Sequence, residues 1–336
     1  MTTLPFVSII VPCYNEEATI RHLLDSILAQ TYPREQMELI ISDGMSTDRT
    51  RDVIAAFQKE HADLAVRVVE NSVRTIPSGL NQAIRESRGE IIVRLDAHSI
   101  PIPGYVELCV SAHQSGKGDN VGGVWEIHAG AETWMAESIS LAAAHPLGAG
   151  DAQYRLNAKA GAVDTVPFGS FRRGLIDKIG GFDETLLANE DYEFNTRVRE
   201  SGGIVWLEPS IRSVYFSRGT FGKLALQYWR YGFWKFKMLK RYPQTLRWRQ
   251  ALPPVFVLSL IVLIVLSLWI VFVRYLLAAL LFIYVISLGL AGLKLAFEKQ
   301  KGFLLWGLPL AITTMHFAWG AGFLWSGVLS MFKKNG

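Results

Sequence analysis

Three apolar runs in this sequence each end in polar, acid-bearing segments. Phe6–Val11 leads into Pro12-Cys13-Tyr14-Asn15-Glu16-Glu17, Glu38–Ser42 into Asp43-Gly44-Met45-Ser46-Thr47-Asp48, and Glu90–Leu95 into Asp96-Ala97-His98. One acid after a strand commonly caps a helix or forms a turn. Three in succession, expected at one edge, are harder to reduce to turns. Asp96 and His98 alternate, so both side chains can reach one ion where the strand bends. A fourth acidic group, Asn189-Glu190-Asp191, reads as the start of a helix with acids in its first turn. Downstream, Lys223, Gln227, Arg230, Lys237 and Arg241 fall within about 40° of one line on a helical wheel, with Trp234 among them. No Gly-x-Gly-x-x-Gly follows the first run and no Walker sequence is present, which argues against a dinucleotide or P-loop site.

The elements that must position these groups alternate. Phe6–Val11 is β-rich, and Asn15–Gln30 carries Ile20, Leu23, Leu24, Ile27 and Leu28 at helical spacing. Glu38–Ser42 reads as a second strand and Thr47–Glu60 as a second helix, with Ser46 or Thr47 as N-cap. Val66–Glu70, Ser78–Arg88 and Glu90–Leu95 continue as strand, helix and strand. This order predicts an α/β domain with a mostly parallel, doubly wound sheet, whose ligands bind at the carboxyl ends of the strands.

The motifs together resemble glycosyltransferase family 2. The residues that carry the likeness are Val-Ser-Ile-Ile-Val-Pro-Cys-Tyr-Asn-Glu-Glu at 7–17, Ser-Asp-Gly-x-Ser-Thr-Asp at 42–48 and Asp-x-His at 96–98. Gly180-Gly181-Phe182-Asp183-Glu184 leading into Asn189-Glu190-Asp191, and Gln227-Tyr-Trp-Arg230-Tyr231, add two more in the same order. The resemblance covers roughly residues 5–235 and, with the C-terminal apolar segments, is similar to membrane-bound bacterial exopolysaccharide enzymes. It implies a GT-A fold and an inverting transfer from a nucleoside diphosphate sugar, a UDP-sugar such as UDP-glucose. It also implies that Asp96, with His98 at the family's second Asp position, holds a divalent cation. Imidazole suits Mn²⁺ better than Mg²⁺, so Mn²⁺ is the expected metal and Mg²⁺ the alternative. By the same resemblance Asp43 contacts the nucleoside, and Pro12, Tyr14 and Glu16 line its pocket. Asp191 is then the general base, with Glu190 and Gly169 on the acceptor side. Gln227 and Arg230 approach the donor diphosphate; Tyr231, which replaces the signature Trp, and Trp234 belong to the acceptor region. Arg74 is a candidate for a donor phosphate, and Arg94, just before the metal motif, for pairing with neighbouring acids.

Charge divides the chain. Residues 1–208 hold 18 basic and 29 acidic side chains, residues 209–251 hold ten basic and no acidic ones, and only seven charges remain after residue 251. From Leu252 to Val273 no charge interrupts the chain, and 22 helical residues span about 33 Å, enough for a hydrocarbon core of about 30 Å. The expected organisation is a catalytic domain over 1–217, a basic amphipathic interfacial region over 218–251, and transmembrane helices at 252–273, 275–297 and 310–332. Arg274 and Tyr275 would form the turn between the first two, and Pro309 would break the third. Lys333 and Lys334 count against three spans, because an odd number puts them outside.

The basic residues before the first span keep the catalytic domain cytoplasmic under the positive-inside rule, at the cell's inner membrane. Val7–Val11 is too short, and ended too soon by Pro12, to read as a leader. Cys13 and Cys109 are too few for a disulfide framework and suit a reducing compartment. A wholly soluble enzyme and a disordered chain are excluded by this composition, and a nucleic-acid partner is disfavoured because the basic residues adjoin the apolar tail. The expected function is addition of one sugar to a polyprenyl-diphosphate-linked saccharide in surface polysaccharide assembly. Membrane lipids are expected partners, and a homo-oligomer or assembly complex is compatible. A processive synthase and an inactive membrane scaffold are the competing readings.

Overall fold

The computed structural model describes residues 4–156 and 159–332; Lys333 and Lys334 lie outside them. The elements run β1 Val7–Cys13, α1 Ile20–Leu28, β2 Met37–Asp43, α2 Thr50–Glu60, β3 Ala65–Glu70, α3 Ile76–Glu86, β4 Ile91–Arg94, β5 Ile100–Pro101, α4 Tyr105–Gln114 and β6 Asn120–His128. Next come α5 Trp134–Ala143, α6 Pro146–Ala149, β7 Gly161–Ala162, β8 Ser170–Arg172, α7 Arg173–Ile179, α8 Glu190–Glu200 and β9 Val205–Phe216. The chain continues as α9 Phe221–Leu239, α10 Trp248–Ser267, α11 Val271–Lys299 and α12 Leu304–Phe332. They form two compact units: residues 1–126 with 153–215, and residues 127–152 with 216–336.

In the first unit one mixed sheet has the order β3-β2-β1-β4-β8-β6-β9-β5, with β7 beside β9. The first four strands are parallel, as their connections through α1, α2 and α3 require. β1, β2 and β4, buried on both faces, are near-continuous apolar runs: Ile9, Ile10 and Val11 of β1 and Leu39, Ile40 and Ile41 of β2 are fully buried, whereas β3 at the sheet edge is partly exposed. β8 then pairs antiparallel with β4, and β6 antiparallel with β8. The antiparallel half was not expected from the sequence. β8 is three residues long and β7 two, too short for a period-2 pattern to register. The first two helices also start later than expected. α1 begins at Ile20 and α2 at Thr50, because residues 14–19 and 44–49 are drawn into loops that bond to each other.

The second unit takes in α5, α6 and α9–α12. Two helices, Trp248–Ser267 and Val271–Lys299, are long and apolar enough to cross a membrane. Their limits differ from the expected spans, for identifiable reasons. α10 starts at Trp248 and passes through Pro253 and Pro254. Pro254 removes the N–H that would bond the Gln250 carbonyl, and the Trp319 indole N–H donates to that carbonyl instead, at 3.0 Å. The turn falls at 268–270, and Arg274 lies inside α11, its Nε donating to the Ser267 carbonyl at 2.8 Å.

Pro309 does not break α12, which is continuous from Leu304 to Phe332. The carbonyl that Pro309 leaves without its helical donor is that of Leu305, and Gly292 of α11 packs directly over it: a Cβ there would come within 2.7 Å of that oxygen. α12, expected from 310 as a third span, is not among the two candidate spans; Leu308, Ala311, Ile312 and Met315 are buried in a cluster with Ile139 of α5 and Leu224 and Tyr228 of α9. Contact with α9 is close, since a Cβ on Gly232 would meet the Trp319 carbonyl oxygen at 2.1 Å.

Candidate active site

At the carboxyl edge of the parallel strands, two loops lock together. Asn15 N–H donates to Ser46 Oγ at 2.9 Å, Thr47 N–H to Asn15 Oδ1 at 2.8 Å, Glu16 N–H to Thr50 Oγ1 at 2.8 Å and Arg49 N–H to Glu17 Oε2 at 2.9 Å. Asp43, the last residue of β2, is fully buried; it accepts from Ser46 Oγ at 2.5 Å and pairs with Arg51 Nε at 2.5 Å. Tyr14 is exposed on the rim and Pro12 half-buried. Burial, and then the nearby carboxylates of Glu16, Asp43 and Asp48, push the Cys13 thiol up. The end of β1 is therefore an anionic, partly desolvated place.

Next along the edge, Glu16 Oε1 lies 3.0 Å from His98 Nδ1. Two residues assigned separately, one to a nucleoside pocket and one to a cation, are thus neighbours. Asp96 pairs through Oδ1 with Arg94 Nη2 at 3.2 Å. The same Nη2 reaches Glu190 Oε1 at 3.2 Å, and Nη1 pairs with Asp191 Oδ1. Asp96 and Asp191 are 26% and 29% exposed at their side chains, whereas Arg94 is 3% exposed.

The acids of α8 reach this edge because the helix is fastened from behind. Arg197 binds Glu193 through Nε–Oε1 at 2.6 Å and Nη2–Oε2 at 2.8 Å, and its Nη2 donates to the Gly181 carbonyl at 2.7 Å. Asn195 Nδ2 donates to Thr165 Oγ1 at 2.9 Å, and Asn195 Oδ1 accepts from Asn120 Nδ2 at 2.6 Å. Asn81 brackets Phe182, accepting from its N–H at 2.8 Å and donating to its carbonyl at 2.9 Å.

Gly169 belongs to the same construction. Its carbonyl accepts from Arg94 N–H at 3.0 Å, its φ is +70°, and a Cβ would fall 2.5 Å from Asn120 Oδ1. From α4, His113 Nε2 bonds the Ser170 carbonyl at 2.9 Å. Burial, reinforced by the Arg172 charge, holds the His113 imidazole down at about 4. Asn81, Asn120, His113, Asn195 and Arg197 were not singled out from the sequence. Each is a lone polar residue with no motif of its own; only a buried position on a helix or strand would have drawn attention to it.

The backbone records the same edge. Non-glycine residues with left-handed φ are Asn15, Met45, Arg74, Phe168, Asn189 and Gln300 among the described residues, and the first five lie in loops at this edge. Gln227, Arg230, Tyr231 and Trp234 lie on α9 in the second unit. There Gln227 Nε2 donates to Tyr231 OH at 2.9 Å, Arg230 is exposed, and Lys237 Nζ stands 3.9 Å from the Trp234 ring centre.

Asp96 and His98 supply one carboxylate and one imidazole, both partly exposed. Among the described residues no group of three His, Cys, Asp or Glu side chains is placed to hold a metal. The pair fits a divalent cation whose remaining ligands come from a bound molecule, as diphosphate oxygens do, and not a closed protein cage.

A glycosyl transferase family 2 model matches residues 8–180, from β1 through Gly180. The chain belongs to glycosyl transferase family 2. Within that family it is 27% identical over 325 residues to a dolichyl N-acetyl-alpha-D-glucosaminyl phosphate 3-beta-D-2,3-diacetamido-2,3-dideoxy-beta-D-glucuronosyltransferase of Methanococcus voltae, covering 95% of this chain and 96% of the relative. Succinoglycan biosynthesis protein ExoA of Rhizobium meliloti is 26% identical over 247 residues, 73% of each chain. The mannosyltransferase PcManGT of Pyrobaculum calidifontis, solved with GDP-Man and Mn²⁺, superposes with a TM-score of 0.66 over 99% of this chain and 89% of that one. At 22% identity that likeness shows the shared GT-A fold. Glycosyl transfer is therefore the activity of this family 2 chain.

Proposed function

We propose that the protein is a membrane-bound inverting glycosyltransferase that moves a sugar from a nucleoside diphosphate sugar, a UDP-sugar first, to a hydroxyl of a polyprenyl-diphosphate-linked saccharide. The observation that carries this reading is the juxtaposition of Asp96 and Asp191 around one buried guanidinium at the carboxyl edge of a family 2 domain. One partly exposed carboxylate stands beside His98 on the cation side and another heads a helix on the opposite flank.

The chemistry is a single in-line displacement. Asp191 takes the proton of the acceptor hydroxyl as its oxygen forms a bond to the anomeric carbon. The bond from that carbon to the diphosphate breaks on the opposite face, and the nucleoside diphosphate leaves with the electron pair. A positioned base of this kind contributes about 10²–10⁴-fold. A divalent cation held by Asp96 and His98 would neutralise charge on the leaving diphosphate. Pro12, Tyr14, Glu16 and Asp43 surround the nucleoside side. Asp43 is wholly buried, so it acts there by fixing the Ser46 turn and Arg51. On α9, Gln227 and Arg230 serve the diphosphate, and Tyr231 and Trp234 the acceptor.

Two apolar helices support the membrane part of the reading, the dolichyl-linked substrate named for the Methanococcus relative the lipid-linked part, and the succinoglycan relative the polysaccharide part. The basic α9 suits anionic headgroups on the cytoplasmic face. The test is a transfer assay with the full chain in detergent, a nucleotide-sugar panel and a lipid-linked acceptor, with Mn²⁺ and Mg²⁺ compared. Asp191→Asn is expected to lose transfer by at least 10²-fold while keeping nucleotide binding. Near-wild-type turnover in that variant removes Asp191 as base.

A further inference from the structure

Arg94 ends β4 with its guanidinium 3% exposed and shared among three carboxylates from two elements: Asp96 just beyond its own strand, and Glu190 and Asp191 at the start of α8. Three carboxylates around one guanidinium leave two negative charges, the complement of one divalent cation. Asp96 and Glu190 compete for the same nitrogen, Nη2, whereas Asp191 has Nη1.

The arginine is the fixed partner in this cluster. Its backbone N–H is bonded to the Gly169 carbonyl at 3.0 Å. Its guanidinium carbon stands 5.9 Å from the centre of the Phe182 ring, and Phe182 is itself stacked on Phe194 at 4.6 Å. The partly exposed members are Asp96 and Asp191. Of these two, Asp191 has Nη1 to itself, while Asp96 shares Nη2 with Glu190 and lies two residues from His98, so a competing cation draws on Asp96.

We propose that Arg94 is a positioning residue whose guanidinium holds Asp96 against Glu190 and Asp191 until a divalent cation takes Asp96, after which it is left to Glu190 and Asp191. The proposal rests on the reading of Asp96 as cation ligand and Asp191 as base given above. It means that Arg94 does two opposed things. Its charge and its hold on Asp96 weaken cation binding, and its bond to Asp191 keeps the base seated at the head of α8. A residue serving only the fold would weaken both when removed.

The experiment titrates Mn²⁺ alone into the full chain in detergent, reading free Mn²⁺ by electron paramagnetic resonance, and measures kcat and KM for the donor separately. Arg94→Met is expected to bind Mn²⁺ on the order of tenfold more tightly, because a positive charge beside the ligand is gone. Its kcat is expected to fall on the order of 10²-fold. Added guanidinium should restore part of the turnover and return Mn²⁺ affinity toward wild type.

Arg94→Lys keeps the charge but presents a compact point charge in place of a planar fork. Its Mn²⁺ affinity should stay within about twofold of wild type while kcat falls at least tenfold with donor KM unchanged. Mn²⁺ affinity in folded Arg94→Met that is equal to or weaker than wild type overturns the proposal. Should Arg94→Met not fold, wild-type kcat in Arg94→Lys overturns it instead.

Two controls separate this idea from the reading beneath it. Asp96→Asn is expected to lose Mn²⁺ binding; if it does not, Asp96 is no ligand and the competition falls with it. If Asp191→Asn keeps its turnover, the base assignment fails and the positioning half of the proposal is overturned, while tighter Mn²⁺ binding in Arg94→Met still upholds the competition at Asp96.

Discussion

Below neutral pH the carboxyl edge of the sheet should lose stability through His113. This histidine is 4% exposed on α4 and bonds the carbonyl of Ser170, the residue after the glycine that seats Arg94. Its imidazole is held at about 4 in the folded chain, against about 6.5 for an unperturbed histidine. Burial is the chief cause, Arg172 adds to it, and Asp119 opposes it. A folded pKa below the unfolded one means the unfolded chain binds more protons between those values, so stability falls as pH drops through about 6.5 and continues to fall until about 4.

Integrating that difference makes the loss from this one group about 2 kcal/mol at pH 5 and about 3 kcal/mol at pH 4. The assay is urea unfolding of the detergent-solubilised chain from pH 7.5 to 4.5, followed by tryptophan fluorescence. His113→Gln provides the comparison: it can still donate to Ser170 and does not titrate. The variant should start less stable at pH 7.5 and lose about 2 kcal/mol less than wild type by pH 5. Parallel pH profiles for the two proteins would refute the reasoning, because they would mean that His113 is not held neutral by its surroundings.

Two other substitutions or modifications follow from the same packing. Gly169→Ala places a Cβ 2.5 Å from Asn120 Oδ1 at a φ of +70°. Relieving that clash breaks the buried Asn120–Asn195 bond, for a combined cost of about 2–4 kcal/mol in urea unfolding; a loss below about 0.5 kcal/mol would show that the turn is looser than described. Burial raises the Cys109 thiol to about 12 and pushes Cys13 up as well. Neither should react with iodoacetamide at pH 8 in the native chain, and both should react once it is unfolded in urea, as mass spectrometry would report.

How much of this was legible depends on what each element had to do. The parallel half of the sheet shows in the sequence because strands buried on both faces must be apolar throughout, as Ile9–Val11 and Leu39–Ile41 are. In the antiparallel half β7 and β8 do not, because they are two and three residues long and are specified by their partners. Asp43, Asp96, His98 and Asp191 were visible because motifs carry them. That Asp96 and Asp191 share one arginine was not, since β4 and α8 lie 96 positions apart at the Arg94–Glu190 contact.

Proline misled the reading of the tail. Pro309 suggested a boundary, yet α12 runs through it, as α10 runs through Pro253 and Pro254. For Pro254, the Trp319 indole supplies the missing donor from another helix, and for Pro309 the backbone of Gly292 covers the bare carbonyl. Such compensation is tertiary and leaves no mark within a single helix's sequence.

The site's backbone strain and its charge excess have a common origin. Five non-glycine residues, Asn15, Met45, Arg74, Phe168 and Asn189, hold left-handed φ values at the edge where the carboxylates gather. Left-handed backbone costs roughly 1–2 kcal/mol per residue outside glycine, less for asparagine. These positions persist because neighbouring bonds over-determine them. Asn15 is tied to Ser46 and Thr47, Arg74 N–H donates to the Asn71 carbonyl, and Asn189 is followed by a helix that Arg197 and Asn195 hold at two further points. Regular extensions of β1 and β2 would splay the following carboxylates apart along separate helices. Bending each loop back over its strand end instead concentrates Glu16, Asp43 and Asp48 near Cys13, and Asp96, Glu190 and Asp191 around Arg94. Like charges brought that close repel, so the arrangement is stable only where cations stand among them: Arg51 at Asp43 and Arg94 at the other three. Arg51 is 41% exposed and Arg94 3%. Removing Arg51 lets water screen Asp43, whereas removing Arg94 takes away the one arginine or lysine that pairs with Asp96, Glu190 and Asp191 among the described residues, and favours a counter-charge that arrives from outside.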